Sequence, residues 1–246
     1  SDLEKMGESY VDMGKEKRGA DPKKFLSCMK NRIQDVDPYY LLLDEVQLLG
    51  GFEYVLNGYL REPNLDIYVT GSNAKFLSQD IITEFAGRGD AIHMYPLSFA
   101  EFMTAYTGDR YAGLTEYLLY GGLPLVVLKK NEDEKASMLE ALFQEIYLRD
   151  IFLRHNIKNQ DELEDLLNVI SSNIGSLTNP EKLKRTFQSR KNSKITSATI
   201  KKYLGYLEDS FLIESASRYN IKGKEYIETP KKYYFSDLGL RNARLN

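Results

Sequence analysis

Cysteine, histidine and long apolar runs are all scarce in this sequence of 246 residues. The one cysteine, Cys28, excludes an intramolecular disulfide, and together with His93 and His155 it is too little for a Cys/His zinc cluster. No apolar run approaches the ~20 residues that span a bilayer, and the first residues have neither the basic start nor the apolar core of a secretory signal. We therefore predict a cytoplasmic protein without a membrane segment or structural zinc.

The composition that remains is typical of a folded globular chain, with 42% hydrophobic and 28% charged residues. The net charge of −3 conceals a gradient along the chain. Residues 180–246 contain 15 Lys and Arg against 7 Asp and Glu, whereas residues 1–179 contain 18 against 29. This asymmetry fits a basic end that binds a polyanion, and it fits equally a basic face exposed to solvent.

Three apolar runs predict an α/β fold in residues 1–96. They are Tyr39–Leu43, followed by Asp-Glu, then Asp66–Thr70, followed by Gly-Ser-Asn, and Ala91–Tyr95, followed by Pro-Leu-Ser. A helical pattern over residues 51–62 separates the first two, as in a βαβ unit. Continuous apolar runs are typical of parallel strands that are buried on both faces. We expect a partial parallel sheet with flanking helices.

The rest of the chain is predicted to be mainly helical. Long amphipathic stretches indicate an all-helical subdomain over residues 97–158. Residues 159–246 contain three shorter helical stretches followed by two β-rich ones, ESASRYNI and KKYYFSD. Three helices and a β-hairpin are the elements of a winged helix.

Asp44 and Glu45 are the sharpest candidates for chemistry, because they follow a predicted buried strand. The carboxyl ends of parallel strands are where open α/β sheets bind ligands. In P-loop nucleotidases the first acid of such a pair holds Mg²⁺ through water, and the following glutamate polarises the attacking water. The alternative is structural, with Asp44 as the N-cap of a helix and Glu45 in its first turn.

Two further segments could complete a nucleotide site. Ser72 and Asn73 follow the next predicted strand and could position water against a γ-phosphate, or could simply cap a helix. Arg88 lies in the glycine-flanked sequence FAGRGD, where its guanidinium could reach a phosphate across a subunit boundary. The alternative for Arg88 is an ordinary surface arginine.

A family resemblance joins these segments. The chain resembles the prokaryotic AAA+-like ATPases, whose P-loop domain precedes a domain of unknown function containing a winged helix. The segments that carry this resemblance are, in order, LLLDEVQ, VTGSNAKFLS, FAGRG, YPLSFAEF, YGGLPLVV, IYLRDI and YFSDLGLRNARL. The likeness covers residues 39–246 and implies ATP and Mg²⁺ as cofactors. It implies that Asp44 and Glu45 are Walker B residues, Ser72 or Asn73 the sensor and Arg88 an arginine finger. That arginine would act in cis or from a neighbour in a homo-oligomer.

The sequence departs from that family at two places. The phosphate-binding segment GxxxxGK[ST] occurs nowhere in the 246 residues, and no nuclease-like region follows the DLGLRN segment. We expect a fragment that is inactive alone because it lacks the phosphate-binding loop. A degenerate family member is the alternative.

The C-terminal part offers candidate DNA contacts on the helical stretch KITSATIKKYLGYLEDSFLI, which resembles the second and third helices of a winged helix. Tyr203, Leu204, Leu207 and Leu212 are predicted to pack inward. The predicted contacts are Thr199, Lys201 and Lys202 on the recognition helix, a basic run before it (Arg185, Arg190, Lys191 and Lys194), and Lys222, Lys224, Lys231 and Lys232 on the wing. Winged helices also dock proteins, so a non-enzymatic DNA-binding or docking module on an α/β scaffold stays open.

Overall fold

The computed structural model describes residues 22–46, 49, 51–71, 85, 88–191, 193–218 and 229–245, without the side chains of residues 145 and 146. The chain divides into two compact units, Ser1–Ile92 and His93–Asn246. Within the described ranges, no helix is both long enough and apolar enough to cross a membrane.

The first unit contains the βαβ arrangement that the sequence predicts. Its elements are α1 (Pro22–Arg32), β1 (Tyr39–Leu43), α2 (Phe52–Tyr59) and β2 (Leu65–Val69). The two strands are parallel, with a register that pairs Tyr39 with Leu65 and Leu43 with Val69. Val55 and Leu56 of α2 are buried, and Leu43 and Ile67 pack against their cluster. The helix therefore covers one face of the strand pair.

The prediction that β1 is buried on both faces is wrong. Burial alternates along the strand, and the side chains of Tyr40 and Leu42 are each 62% exposed. The exposed positions alternate with Leu41 and Leu43 because successive side chains of a strand point to opposite faces. Helix α2 packs on the face that carries Leu43.

The predicted third strand, Ala91–Tyr95, is also not observed, since these residues belong to no strand. Ile92 and Met94 are 78% and 82% exposed. The His93 ring stacks on Tyr95 with 4.0 Å between ring centroids. An apolar run becomes a strand only where a neighbour accepts its backbone hydrogen bonds, and no described strand pairs with this one.

The second unit begins with a set of helices that agrees with the helical pattern of residues 97–158. One long helical stretch contains Glu132–Ala141, a π-helical segment Leu142–Leu148 and Arg149–His155. The helices are α3 (Phe99–Ala105), α4 (Arg110–Tyr120), α5 (Pro124–Val127), α6 (Glu132–Ala141) and α7 (Arg149–His155).

Three more helices, an antiparallel strand pair and a last helix follow. They are α8 (Gln160–Ser172), α9 (Pro180–Lys191), α10 (Ser197–Asp209), β3 (Ile213–Ala216), β4 (Lys232–Phe235) and α11 (Leu238–Leu245). The register pairs Ile213 with Phe235, and an isolated antiparallel bridge joins Thr178 to Lys231. The predicted inward positions of α10 are confirmed, because Tyr203, Leu204, Leu207 and Leu212 are at most 7% exposed.

One hydrophobic core serves this whole unit. It extends from Val126 and Phe143 through Leu166 and Leu207 to Leu240. The sequence divides these residues between a helical subdomain (97–158) and a winged-helix domain (159–246), yet their buried side chains form a single cluster. The domain boundaries remain a prediction.

Local sequence signals fix where several helices begin and end. Ser98 forms a capping box at the start of α3, in which its hydroxyl accepts from the Glu101 amide and its own amide donates to Glu101 Oε2 at 2.8 Å. The Asp109 carboxylate accepts from two amides at the start of α4. Asn156 ends α7 in the left-handed conformation, with φ of 48°.

Helix α11 is attached to α4 at what we call the α4–α11 junction, formed by Gly121, Gly122, Asp237, Gly239 and Asn242. The buried Asp237 carboxylate accepts from the Gly122 amide at 2.7 Å and from the Leu240 amide at 3.1 Å. A side chain at Gly121 would overlap that carboxylate, and one at Gly239 would overlap the Tyr120 carbonyl oxygen. The Asn242 amide donates to the carbonyls of Leu118 and Leu119.

The junction gives a structural role to two sequence segments. YGGLPLVV supplies Gly121 and Gly122, and YFSDLGLRNARL supplies Asp237, Gly239 and Asn242. Gly121 allows the Asp237 carboxylate, and Gly239 the Tyr120 carbonyl oxygen, to approach more closely than a Cβ atom would permit. These segments, which carry part of the family resemblance, therefore account for the packing of α11 on α4.

Candidate functional site

The candidate site lies at the carboxyl ends of β1 and β2, where Asp44 and Thr70 are hydrogen-bonded to each other. The Thr70 hydroxyl donates to Asp44 Oδ1. The same hydroxyl accepts from the Glu45 amide at 3.2 Å. The Thr70 amide donates to the Leu43 carbonyl at 2.8 Å, so the backbone pairing of the two strands sets this arrangement. Asp44 is exposed, and its carboxylate is oriented by the threonine.

Glu45 follows in a conformation that few non-glycine residues adopt, with φ of 51°. Its side chain is half-buried. A left-handed residue directly after a strand turns the chain, and such strained positions are concentrated at functional sites. The alternative in which Asp44 is the N-cap of the following helix is not supported for α2, because the N-cap of α2 is Gly51.

Thr70 is a site residue that the sequence reasoning missed. It ends the apolar run Asp66–Thr70, which directed attention to the following Ser72 and Asn73 instead. The signal that could have found it is the parallel register, because pairing of Leu43 with Val69 puts the next residues, Asp44 and Thr70, side by side. That register cannot be read from residue types alone.

The other predicted residues of this site are only partly placed. Ser72 and Asn73 lie outside the described residues. Arg88 is exposed, and its Nη2 donates to Asn57 Oδ1 on α2 at 3.1 Å. Its Nε donates to the Phe85 carbonyl at 3.2 Å. The guanidinium is thus held beside α2 and still reaches solvent.

The chemistry of Asp44 and Thr70 fits a hard cation. Both offer oxygen ligands, and Mg²⁺ in nucleotide enzymes is held by one or two such side chains together with water and phosphate oxygens. Within the described part of the chain, no group of three His, Cys, Asp or Glu side chains could hold a metal by itself.

The predicted DNA contacts lie on α9, α10 and the segment between them, with different partners. The Thr199 amide donates to Thr196 Oγ1 at 3.1 Å, so Thr199 belongs to the N-cap of α10. Lys191 forms an ion pair with Asp165 of α8. Lys202 Nζ lies 5.9 Å from the centroid of the Tyr206 ring. These three residues therefore contribute to the structure of this region.

Arg190, Lys194 and Lys201 are different, because they are exposed and make no ion pair with any described residue. The wing candidates Lys222 and Lys224 lie outside the described residues. Lys231 is bridged to Thr178, and Lys232 is exposed on β4.

Comparison with known proteins identifies the class of this chain. Residues 4–103 match the family described as "AAA domain", and residues 111–246 match the family described as "Domain of unknown function (DUF8612)". The second match covers more than half of the chain, so the chain belongs to that family. An AAA domain indicates a nucleotide-binding, ATPase-like module, which confirms the coarse form of the resemblance. The winged helix and the missing segments remain predictions.

Two relatives can be aligned with most of the length of this chain. A protein described as uncharacterized from Haemophilus influenzae is 39% identical over 207 residues, which are 82% of this chain and 51% of the relative. The uncharacterized protein MJ1544 of Methanocaldococcus jannaschii is 29% identical over 198 residues, 75% of this chain and 44% of the relative. The chain thus spans about half the length of the curated relatives it matches.

Proposed function

We propose that this chain is part of a Mg²⁺-dependent ATPase whose C-terminal winged helix binds DNA or a protein partner. The observation that carries the ATPase proposal is the Asp44–Thr70 hydrogen bond at the carboxyl edge of a parallel strand pair. It lies inside the segment that matches an AAA domain. This edge is where ligands bind in open α/β sheets.

Each site residue has one role in the proposal. Asp44, oriented by Thr70, would hold Mg²⁺ through water, and the metal would neutralise charge on the phosphates. Glu45 would accept a hydrogen bond from the attacking water and polarise it. Ser72 or Asn73 would sense the γ-phosphate. Arg88 would stabilise negative charge on the phosphates, either within its own subunit or from a neighbour.

The winged-helix proposal is supported by the order of elements in the second unit. Helices α8, α9 and α10 are followed by the antiparallel pair β3–β4. The isolated Thr178–Lys231 bridge brings the segment between α8 and α9 beside the start of β4. In this arrangement α10 is the recognition helix, and Arg190, Lys194 and Lys201 supply exposed positive charge.

The ATPase proposal is tested by turnover with Glu45→Gln, beside Glu62→Gln as a control that removes the charge of an exposed glutamate from the same unit. Two proteins are compared, namely this chain and a version extended upstream through a GxxxxGK[ST] segment. We expect the extended protein to bind and hydrolyse ATP. Glu45→Gln should keep nucleotide binding and lose turnover by about 100-fold or more, because a positioned base contributes that much.

Two results would contradict this proposal. Unchanged turnover in Glu45→Gln would show that Glu45 does not polarise the attacking water. Absence of ATP binding by the extended protein would remove the ATPase proposal itself and leave a structural α/β scaffold.

DNA binding is tested by the salt dependence of affinity. Each phosphate contact contributes a slope of about −0.9 in a plot of log K against log salt concentration. Lys201→Gln should reduce the magnitude of the slope by about one, whereas Lys130→Gln, an exposed lysine outside α9 and α10, should leave it unchanged. Absent or salt-independent binding would contradict the DNA proposal and favour protein docking.

A further inference from the structure

A cavity of about 190 Å³ lies between α8, α9 and β4, and one of its lining residues, Arg190, is also a proposed DNA contact. Its apolar surface comes from the buried residues Ile170, Leu183 and Tyr233 and from Val169. Its polar surface comes from Asn173, Ser176, Thr178, Lys182, Thr186 and Arg190. The cavity therefore combines an apolar wall with a polar one.

The charge of this lining is of one sign. Lys182 and Arg190 are cationic, and none of the described residues that line the cavity is an aspartate or glutamate. Together with Thr186 they are spaced four residues apart on α9, so they share one face of that helix. Burial, with the charge of Glu208, raises the pKa of Tyr233 to about 12. The phenol therefore stays neutral, and among the described lining residues no anion faces the two cations.

The two cations differ in their partners. Lys182 Nζ donates to the Leu177 carbonyl at 3.0 Å. Arg190 makes no hydrogen bond or ion pair with any described residue, although the neighbouring Lys191 is paired with Asp165. A guanidinium without a partner at the edge of an apolar cavity is suited to a carboxylate, which it can bind through two parallel hydrogen bonds.

We propose that this cavity binds a small organic carboxylate, with the carboxylate on Arg190 and the apolar part against Ile170, Leu183 and Tyr233. The volume suits a molecule of about ten non-hydrogen atoms rather than a nucleotide, since pockets for drug-sized ligands are about 300–1,000 Å³. The site is distinct from the Asp44–Thr70 edge and belongs to the second unit. It does not require the chain to bind ATP or DNA.

The probe for this site is benzoate, observed by ligand-detected NMR with the whole chain. Binding is expected with a Kd on the order of 1 mM, as for a fragment of this size. Benzamide has the same shape without the charge, and inorganic phosphate has charge without the apolar part. Both should bind at least about tenfold more weakly. Equal binding of benzamide, or of phosphate, would overturn the proposed class of ligand.

Variants locate the binding to this cavity. Arg190→Gln should weaken benzoate binding about tenfold or more, the loss expected for one charged hydrogen-bond partner. Thr186→Met adds volume to the lining on a helix and should weaken it as well. Arg185→Gln removes the same charge from an exposed position of α9 outside the cavity and should have no effect. Thermal unfolding of each variant verifies that the fold is intact.

Because Arg190 is also a proposed DNA contact, a variant at Lys201, which is not among the lining residues, separates this site from DNA binding. Lys201→Gln should lower DNA affinity and leave benzoate binding unchanged. Equal loss of benzoate binding in Arg185→Gln and Arg190→Gln would show non-specific attraction to basic α9 and would overturn the proposal. Undetectable benzoate binding to the wild-type chain at about ten times the expected Kd would overturn it as well.

Discussion

Replacing Asp237 with asparagine tests the α4–α11 junction at its central group. The carboxylate accepts hydrogen bonds from the amides of Gly122, Leu240 and Gly239. Asparagine keeps one oxygen in the same place, but its NH₂ group is a donor and would face an amide that is also a donor. Asp237 is only 4% exposed, so water cannot readily replace the lost acceptor.

The expected loss of stability follows from these contacts. A hydrogen bond to a charged group contributes about 1.5–3 kcal/mol, and a buried donor left without an acceptor costs about 1–3 kcal/mol. Removing the buried charge offsets part of this loss, because the ionised carboxylate is itself poorly solvated there. We expect Asp237→Asn to lower the free energy of unfolding by about 2 kcal/mol, a factor of roughly 30 in the folding equilibrium.

Guanidinium unfolding followed by far-UV circular dichroism measures this change. The midpoint should fall, with an unchanged slope of free energy against denaturant concentration. Asp161→Asn is the matched control, because Asp161 is exposed in the first turn of α8 and its charge contributes only about 0.5 kcal/mol to that helix. If Asp237→Asn lost no more stability than this control, the role given to the Asp237 carboxylate would be refuted.

The pH dependence of the same variant has a definite sign. Burial raises the pKa of Asp237 above its ordinary value, although the amides of Gly122, Leu240 and Gly239 act in the opposite direction. A carboxyl whose pKa is higher in the folded state contributes stability that is fully present below its unfolded pKa and lost as pH rises through the folded pKa. The stability gap between wild type and Asp237→Asn should therefore widen as pH falls through the folded-state pKa towards the ordinary carboxyl value of about 4. A gap that narrows over this range would mean that the amides outweigh burial.

Three further changes test local features of the fold by the same unfolding assay. Gly239→Ala should cost about 2 kcal/mol, because its Cβ would overlap the Tyr120 carbonyl oxygen, whereas Gly205→Ala, in open space inside α10, should stabilise by about 0.5–1 kcal/mol. Equal effects would contradict the close packing at the junction. Ser98→Ala should cost about 1 kcal/mol through loss of the α3 capping box, and an unchanged midpoint would mean that this cap adds nothing. Asn156→Gly should stabilise by up to about 1 kcal/mol because φ is positive there, and destabilisation would contradict that conformation.

Local sequence patterns predicted the elements that local chemistry determines. The apolar run Tyr39–Leu43 and the helical pattern that follows it predicted the βαβ arrangement of the first unit. The helical spacing of Tyr203, Leu204 and Leu207 gave the buried face of α10. Burial of one side of a helix leaves a periodic trace in the sequence, so these features are accessible without a structure.

The identity of the strand that pairs with a given strand leaves no such periodic trace in the sequence. The run Ala91–Tyr95 has the residues of a strand, but strand formation depends on a neighbour that the run itself cannot specify. The same reason kept Thr70 out of the predicted site, because its contact with Asp44 depends on the register of β1 against β2. Asp44 and Glu45 were accessible because two acids after an apolar run are visible in one short segment. The roles predicted for Ser72, Asn73 and Arg88 stay predictions.

The α4–α11 junction also has a consequence for synthesis of the chain on the ribosome. Its two halves, Gly122 and Asp237, are 115 residues apart in sequence. Translation proceeds at about 5–20 residues per second, so Asp237 is synthesised roughly 6–23 seconds after Gly122. During this interval α4 lacks the helix that packs on it. Until Leu240 is available, the core of the second unit lacks one of its fully buried side chains. The nascent chain therefore exposes apolar surface during that interval, and we expect chaperones that bind such surface to engage it there.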